Sequence, residues 1–247
     1  MSSPNENLVL SKSDSWRMFD TISPRYDLLN RLLSFGLDIL WRGQLGRFLS
    51  DDAAGNRHAC SLLDLATGTA DVPLTLARRH KNIEYAVGID LADKMLSIGR
   101  AKVARANLAH KITLRHGDAG RIPFDADAFD AVTIAFGIRN VADPLQVLRE
   151  MRRVLKPEGR ALVLEFSLPE NRILRAPHLF YLRTVVPMIG GFISGHGEAY
   201  RYLNQTIERF PFGDAFRAMM EDAGFHNVTA RLLLGGIASI YVGEKPS

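Results

Sequence analysis

The chain reads as an α/β protein with helices on both faces of a mostly parallel sheet, and three observations predict it. First, apolar strand-like runs alternate with helix-period segments from Ser61 to Phe166. Second, within Leu62–Ala77 an apolar run stops at Thr67-Gly68-Thr69 and a periodic segment opens near Asp71. That is the strand, glycine turn, helix order from which nucleotide pockets are built. Third, Asp90 closes the next apolar run, Tyr85 to Ile89. It lies at the offset of about 20 residues where an acid accepts hydrogen bonds from ribose hydroxyls. Together they predict a Rossmann-like, seven-stranded sheet.

In chain order, residues 1–14 read as a flexible tail, because no basic region followed by an apolar core marks a signal peptide. Residues 15–50 read as a helical cap laid down before the sheet. Strands are expected at 61–66, 84–90, 112–116, 129–135 and 160–166. Between the second and third, residues 92–106 place Met95, Ile98, Gly99 and Val103 on one helical face. Asp143-Pro144 opens another helix, since aspartate caps and proline is preset at the first helical position. Its expected buried stripe is Leu145, Leu148, Met151 and Leu155, and Arg149, Arg152, Arg153 and Lys156 form a solvated face. Pro157-Glu158-Gly159 turns into the apolar strand Ala161–Phe166. A helical insertion is expected over 170–223, then strands at 225–233 and 237–244 joined at Gly235-Gly236. Residues 15–247 are taken as one domain.

The chain has 247 residues, 47% of them hydrophobic, which suffices for one sizeable core. One cysteine, Cys60, excludes an internal disulfide, and the scattered histidines offer no metal-ligand spacing. A cytoplasmic setting and no metal follow as expectations. Cys60 reads as a small buried apolar residue. The net charge is +4 and the basic residues are spread along the chain, which does not favour nucleic acid. The longest apolar stretch, Leu174–Ile193, is broken by Arg175, His178, Arg183 and Pro187, so it is no membrane span.

The loop reads Gly68-Thr69-Ala70-Asp71-Val72-Pro73, without the later glycines of a dinucleotide fingerprint, and no P-loop pattern occurs. A single-glycine turn followed by an acid suits a ligand with a ribose and an ammonium group but no phosphate. S-adenosylmethionine is such a ligand.

Several segments together resemble a known family. These are Ser23-Pro24-Arg25-Tyr26-Asp27-Leu28-Leu29-Asn30, Leu33-Ser34-Phe35-Gly36, Trp41-Arg42 and Phe136-Gly137-Ile138-Arg139-Asn140-Val141. Arg153-Val154-Leu155-Lys156-Pro157, Leu164-Glu165-Phe166-Ser167, Tyr200-Arg201-Tyr202-Leu203 and Ala223-Gly224-Phe225 continue the pattern. They resemble the ubiquinone/menaquinone biosynthesis C-methyltransferases, a branch of the class I methyltransferases, over about residues 15 to 244. The resemblance implies S-adenosylmethionine as co-substrate. Gly68 lets the loop backbone come close to such a ligand, and the resemblance implies Thr69 near its methionine part, Asp90 at the ribose, Asp118-Ala119 at the adenine and Ala135 at the strand end. Ala135 stands where the family often has serine, which removes a hydroxyl contact. Asp71 is a candidate for the cofactor's amino group, with a helix-start acid favoured by the dipole as the other reading. Ala70 replaces the commoner glycine and must hold an angle that alanine tolerates.

The implied reaction is methyl transfer to a ring carbon of a reduced polyprenyl quinol, demethylmenaquinol and/or 2-methoxy-6-polyprenyl-1,4-benzoquinol. Arg139 and Asn140 are the candidates at the acceptor, because ligands of open α/β sheets sit beyond the strand C-termini. Arginine is a poor base, so Arg139 is expected to stabilise a developing quinolate. The competing reading pairs it with Asp143 or Glu165. Tyr26 can bond or stack on the ring, or only pack the cap. Asp64 can serve the loop electrostatically, whereas His116 reads as structural. Phe180, Tyr181, Val185, Val186, Met188 and Phe192 either line a tunnel for the isoprenoid tail or cover the sheet. The expected setting is the inner face of the membrane, held peripherally through 174–193, with a homodimer or association with other quinone-biosynthesis enzymes open. Two alternatives stay beside this reading. One is a methyltransferase on another phenol or lipid head group. The other is a non-catalytic S-adenosylmethionine-binding subunit.

Overall fold

The computed structural model describes residues 15–49, 59–194 and 197–247, so the 1–14 tail lies outside the described residues. Seven strands form the sheet: β1 Cys60–Leu65, β2 Ile83–Asp90, β3 Ile112–His116, β4 Phe129–Ala135, β5 Leu155–Phe166, β6 His226–Leu233 and β7 Ala238–Glu244. Their order is β3-β2-β1-β4-β5-β7-β6, parallel except where β7 pairs with β5 and β6. The strand order reverses at β1/β4, so a crevice opens there beyond the C-terminal ends. Side-chain alternation explains why both faces are covered. Leu62, Ala86, Ala131, Leu162 and Ile240 point into one core, and Leu63, Val87, Val132, Val163 and Tyr241 into the other.

The first core is covered by α2 Leu37–Leu45, α3 Asp71–Arg79 and α4 Asp93–Arg105, the second by α5 Pro144–Val154 and α9 Asp214–Asp222. In α5, Asp143 Oδ1 accepts from the Gln146 amide at 3.0 Å, with Pro144 in the first turn. Its buried stripe is Val147, Leu148, Met151 and Val154, with Leu145 only half-buried and Leu155 already in the strand. On α4, Leu96 is fully buried and Ile98 is not. The basic face of α5 is more than solvated. Arg153 grips Glu150 and donates to the carbonyls of Ile122 and Phe124, tying down the loop before β4. β5 also starts earlier than expected. Pairing jumps from Phe129↔Leu155 to Ala131↔Arg160, so Lys156–Gly159 is a bulge within the strand, not a turn before it.

α1 Ser15–Leu33 crosses above the strand C-termini. There it meets α6 Arg172–Phe180, the π-turn Tyr181–Val185, α7 Val186–Ser194 and α8 Gly197–Arg209. Ile22, Leu29, Leu168, Leu182, Val186 and Ile207 form a small core of their own between cap and insertion. Cys60 is buried, and burial pushes its thiol up to about 12, which leaves it unreactive.

Asp64 is the costly residue of the central strand. It is 1% exposed, and its Oδ1 accepts from the Thr133 hydroxyl at 2.6 Å. Burial pushes its carboxyl from 3.8 up to about 7. As pH rises from 3.8 the unfolded chain ionises first and the folded chain keeps its proton. Stability therefore declines across that window, by on the order of 4 kcal/mol, until the folded group ionises too. Asp64→Asn should remove this share of the decline. Urea midpoints across the window should fall less steeply with pH in the variant than in the parent, the remaining slope coming from other raised carboxyls such as Asp90 and Glu165.

Candidate active site

Four non-glycine residues hold left-handed angles at the C-terminal edge of the sheet: Ala66 (φ 48°), Ala70 (φ 65°), Phe136 (φ 58°) and, after β6, Leu234 (φ 45°). Such angles cost an L-residue about 1–2 kcal/mol each. The angle Ala70 must tolerate is thus a strained one. Between Ala66 and Ala70, Gly68 (φ 55°) has nothing within 4 Å of where a Cβ would stand, so the loop backbone faces open space. That space is a cavity of about 210 Å³.

Asp90 organises the cavity. Its Oδ2 accepts from the Gly68 amide and its Oδ1 from the Ala92 amide, each at 2.8 Å. Burial raises its carboxyl, against these backbone donors. Each carboxylate oxygen keeps a further lone pair, enough for the two hydroxyls of a ribose. Asp118 Oδ1 accepts from the Gly120 amide at 2.8 Å. Ala119 beside it is buried, and both line the cavity with Gly68, Asp90 and Ala135. Asp90 and Asp118 are its only charged walls among the described residues. A cavity with two acids and no cation repels phosphates and suits a sulfonium, so the donor set fits S-adenosylmethionine. When bound, that group supplies an electrophilic methyl.

Thr69 and Asp71 do not line this cavity. The Thr69 hydroxyl donates to Asp27 Oδ1 at 2.6 Å and accepts from Lys102 Nζ at 3.0 Å. The Asp71 carboxylate is held by Lys102 and by Arg31 at 3.3 Å. Both side chains join an ion cluster on the other side of the loop, between α1 and α4. Its hub, Lys102, reads in sequence as one more exposed cation on α4. Its partner Asp27 is 75 residues away, and no local signal joins them.

A second cavity, about 420 Å³ and almost wholly apolar, lies between α1, α2 and the insertion. Phe19, Tyr26, Phe136 and Asn140 line both cavities and so form the wall between them. Arg139 lines the larger one, held in a 3-10 turn after β4. Its Nη1 donates to Glu165 Oε1 at 2.6 Å and to the Phe136 carbonyl at 2.7 Å, and its guanidinium lies over the Phe166 ring. The ion pair weighed from sequence is thus the one with Glu165. Burial still pushes the Glu165 carboxyl up, despite Arg139. The pairing does not use up the side chain, for Arg139 Nε has no partner. Burial raises the Tyr26 hydroxyl, opposed by Arg42.

Of the six tunnel candidates, only Tyr181 and Val186 line the large cavity. Phe180, Met188 and Phe192 point outward, Phe192 being 92% exposed, because the insertion covers its cavity with one face only. His116 is exposed and pairs with Asp93 at 3.2 Å, outside both cavities. Among the described residues no group of three or more His, Cys, Asp or Glu is arranged to hold a metal.

Comparison with known proteins agrees with this geometry. The model of the ubiE/COQ5 methyltransferase family matches residues 9–245. The ubiquinone/menaquinone biosynthesis C-methyltransferase UbiE of Geobacter sulfurreducens is 46% identical over 228 residues, covering 92% of this chain and 87% of that one. The demethylmenaquinone methyltransferase of Thermus thermophilus is 46% identical over 229 residues, covering 93% and 100%. In fold, a SAM-dependent methyltransferase from Thermotoga maritima superposes with a TM-score of 0.62 at 17% identity, over 94% of this chain and 99% of that one. The chain belongs to the ubiE/COQ5 methyltransferase family and is an S-adenosylmethionine-dependent C-methyltransferase of quinone biosynthesis.

Proposed function

We propose that the acceptor is a reduced polyprenyl quinol, demethylmenaquinol and/or 2-methoxy-6-polyprenyl-1,4-benzoquinol, methylated on a ring carbon. The observation that carries this is the shared wall. A sulfonium-compatible cavity meets a large apolar one across Phe19, Tyr26, Phe136 and Asn140. A flat ring against that wall presents a carbon to the methyl, and a greasy tail fills the space beyond. The names of the Geobacter and Thermus relatives support the same substrate class. Gly68, Asp90, Asp118, Ala119 and Ala135 hold the cofactor. Tyr26, Asn140 and the unpaired Nε of Arg139 hold the ring and its oxygens. Alignment of this kind lowers a barrier by up to about 7–11 kcal/mol. Residues 15–247 act as one unit, since cap, insertion and sheet each supply part of the lining of the large cavity.

The tail must enter from a bilayer, and no helix among the described residues is long and apolar enough to cross one. We place the enzyme peripherally, on the inner face of the membrane. Phe35, Leu174 and Leu234 line the mouth of the large cavity and are exposed, with Phe180 outside it. An exposed apolar rim around an apolar cavity fits an interfacial seat. Arg183 is paired with Glu208 at 2.6 Å, and His178 lines the cavity, so apolar contact outweighs charge there.

Incubation with labelled S-adenosylmethionine and each quinol, with and without dithionite, tests the function. Ring C-methylation is expected only with reductant, because an oxidised ring is electron-poor. Equal turnover on the quinone, or an O-methyl product, overturns the reading. Arg139→Ala should lose turnover and also about 3–5 kcal/mol of stability, because Glu165 stays buried without its partner. Arg139→Met combined with Glu165→Gln should regain most of the stability and none of the turnover, as read by urea titration beside the methyl-transfer assay. In vesicle sedimentation, Phe35→Ser with Phe180→Ser should lower membrane binding more than added salt does. Binding like the parent's would move the membrane face elsewhere.

A further inference from the structure

Buried polar atoms without partners are expensive, so each one asks for an explanation. Three of them belong to residues that line the large apolar cavity: His178 Nε2, Tyr202 Oη and Arg139 Nε. The insertion brings two of them there. Leu174, Pro177, His178, Tyr181, Leu182 and Val186 line the cavity as one continuous helical face. That face runs through the π-turn at Tyr181–Val185, a feature common at functional sites. Asn204 Nδ2 donates to the Leu182 carbonyl within that turn. Tyr202, two residues earlier on α8, faces the same cavity near Arg139.

We propose that His178 Nε2 is the base that takes the hydroxyl proton of the acceptor, with Tyr202 donating to the oxygen left behind. This rests on the quinol reading above. The other titratable groups around the cavity are Tyr26, Asp38, Arg42, Arg139, Tyr181 and Tyr202. Arginine does not give up its proton and so cannot accept one. Asp38 is held by Arg42 and by the Ser34 hydroxyl at 2.8 Å. Burial raises the tyrosines, and Tyr181 donates to the Leu33 carbonyl at 2.7 Å. Burial lowers His178 from 6.5, so at neutral pH the imidazole is uncharged, with a free lone pair in the tautomer protonated on Nδ1.

The proton inventory closes. The hydroxyl O–H bond breaks, the proton goes to Nε2 and the electron pair stays on oxygen. The ring carbon then bonds to the methyl, and the sulfur–methyl pair returns to sulfur. The ring C–H proton leaves to water, and His178 gives its proton back to the oxygen. One proton is released per turnover, and no oxidant is required.

The test is methyl transfer to reduced quinol by the whole enzyme and by His178→Asn. General-base loss costs roughly 100-fold or more in kcat. The KM for S-adenosylmethionine should not change, since His178 does not line the cofactor cavity. The parent should lose activity as pH falls below 6.5, and this acid limb should vanish in the variant. A residue that only shaped the cavity would leave the limb in place. His178→Gly should regain part of its rate with added imidazole, and Tyr202→Phe should lower kcat while keeping the acid limb. A His178→Asn enzyme with near-parental kcat and an unchanged limb overturns the inference alone. A parent enzyme that fails to methylate the quinol overturns the functional reading, and this inference with it.

Discussion

The active site depends on the ion cluster that fastens the cap to the glycine loop. Lys102 on α4 reaches Asp27 of α1 at 2.8 Å, the Thr69 hydroxyl of the loop at 3.0 Å, and Asp71 at the start of α3. Arg31 adds a second link from α1 to Asp71. These groups are only partly exposed, so water screens them less than it screens an open surface pair. Without them α1 keeps the small core around Ile22 and Leu29 and two single hydrogen bonds, Tyr181 to the Leu33 carbonyl and the Lys94 amide to Asp20, but no ion pair to the loop. Both cavities would then lose a wall, since Phe19 and Tyr26 come from this helix and face both. The cluster also explains Thr69 and Asp71. In isolation a hydroxyl and a carboxylate beside a glycine turn look like ligand contacts. Here Lys102, Arg31, Arg42 (3.8 Å from Asp71) and Asp27 are their partners.

Strain concentrates on the same edge. Ala66 and Phe136 sit in left-handed conformations directly after β1 and β4, where the two halves of the sheet part, and Ala70 holds one just before α3. The bends turn the chain away from its strand and let the Gly68 amide reach Asp90. Ala70 keeps its methyl because that methyl is fully buried. A Cβ on Gly99 of α4 would come within 3.3 Å of it, so helix and loop approach closely there.

What the sequence reveals and what it hides follow from interaction range. The strands are legible because each is a local apolar run bounded by turn residues, and the cofactor cavity because Gly68, Asp90 and Asp118 each close such a run. β5 is misjudged at its start because Pro157 and Gly159 mark a turn locally, while pairing with β4 absorbs them as a bulge. Lys102 and Glu165 stay hidden or ambiguous for the opposite reason, as their partners come from distant segments. His178 looks in sequence like a polar break in an apolar stretch. Only the folded insertion shows that this break faces inward, while the flanking Phe180 faces out.

The charge layout suits the chemistry in one further respect. A sulfonium reacting with a quinolate destroys two charges, so its transition state is less polar than its reactants and is favoured where water is scarce. The cofactor cavity holds Asp90 and Asp118, which favour the cation while it binds. The acceptor cavity holds Arg42 and Arg139, which favour the anion as it forms. Glu165 and Asp38 neutralise those arginines from behind, so neither pins the quinolate as a bare cation would. Each half of the site therefore stabilises its own partner moderately, and the apolar wall between them is where the charges meet. A stronger cation at the acceptor would hold the quinolate more tightly but make it a poorer nucleophile. That is a physical reason for Arg139 after β4 to be a paired arginine and not a free one.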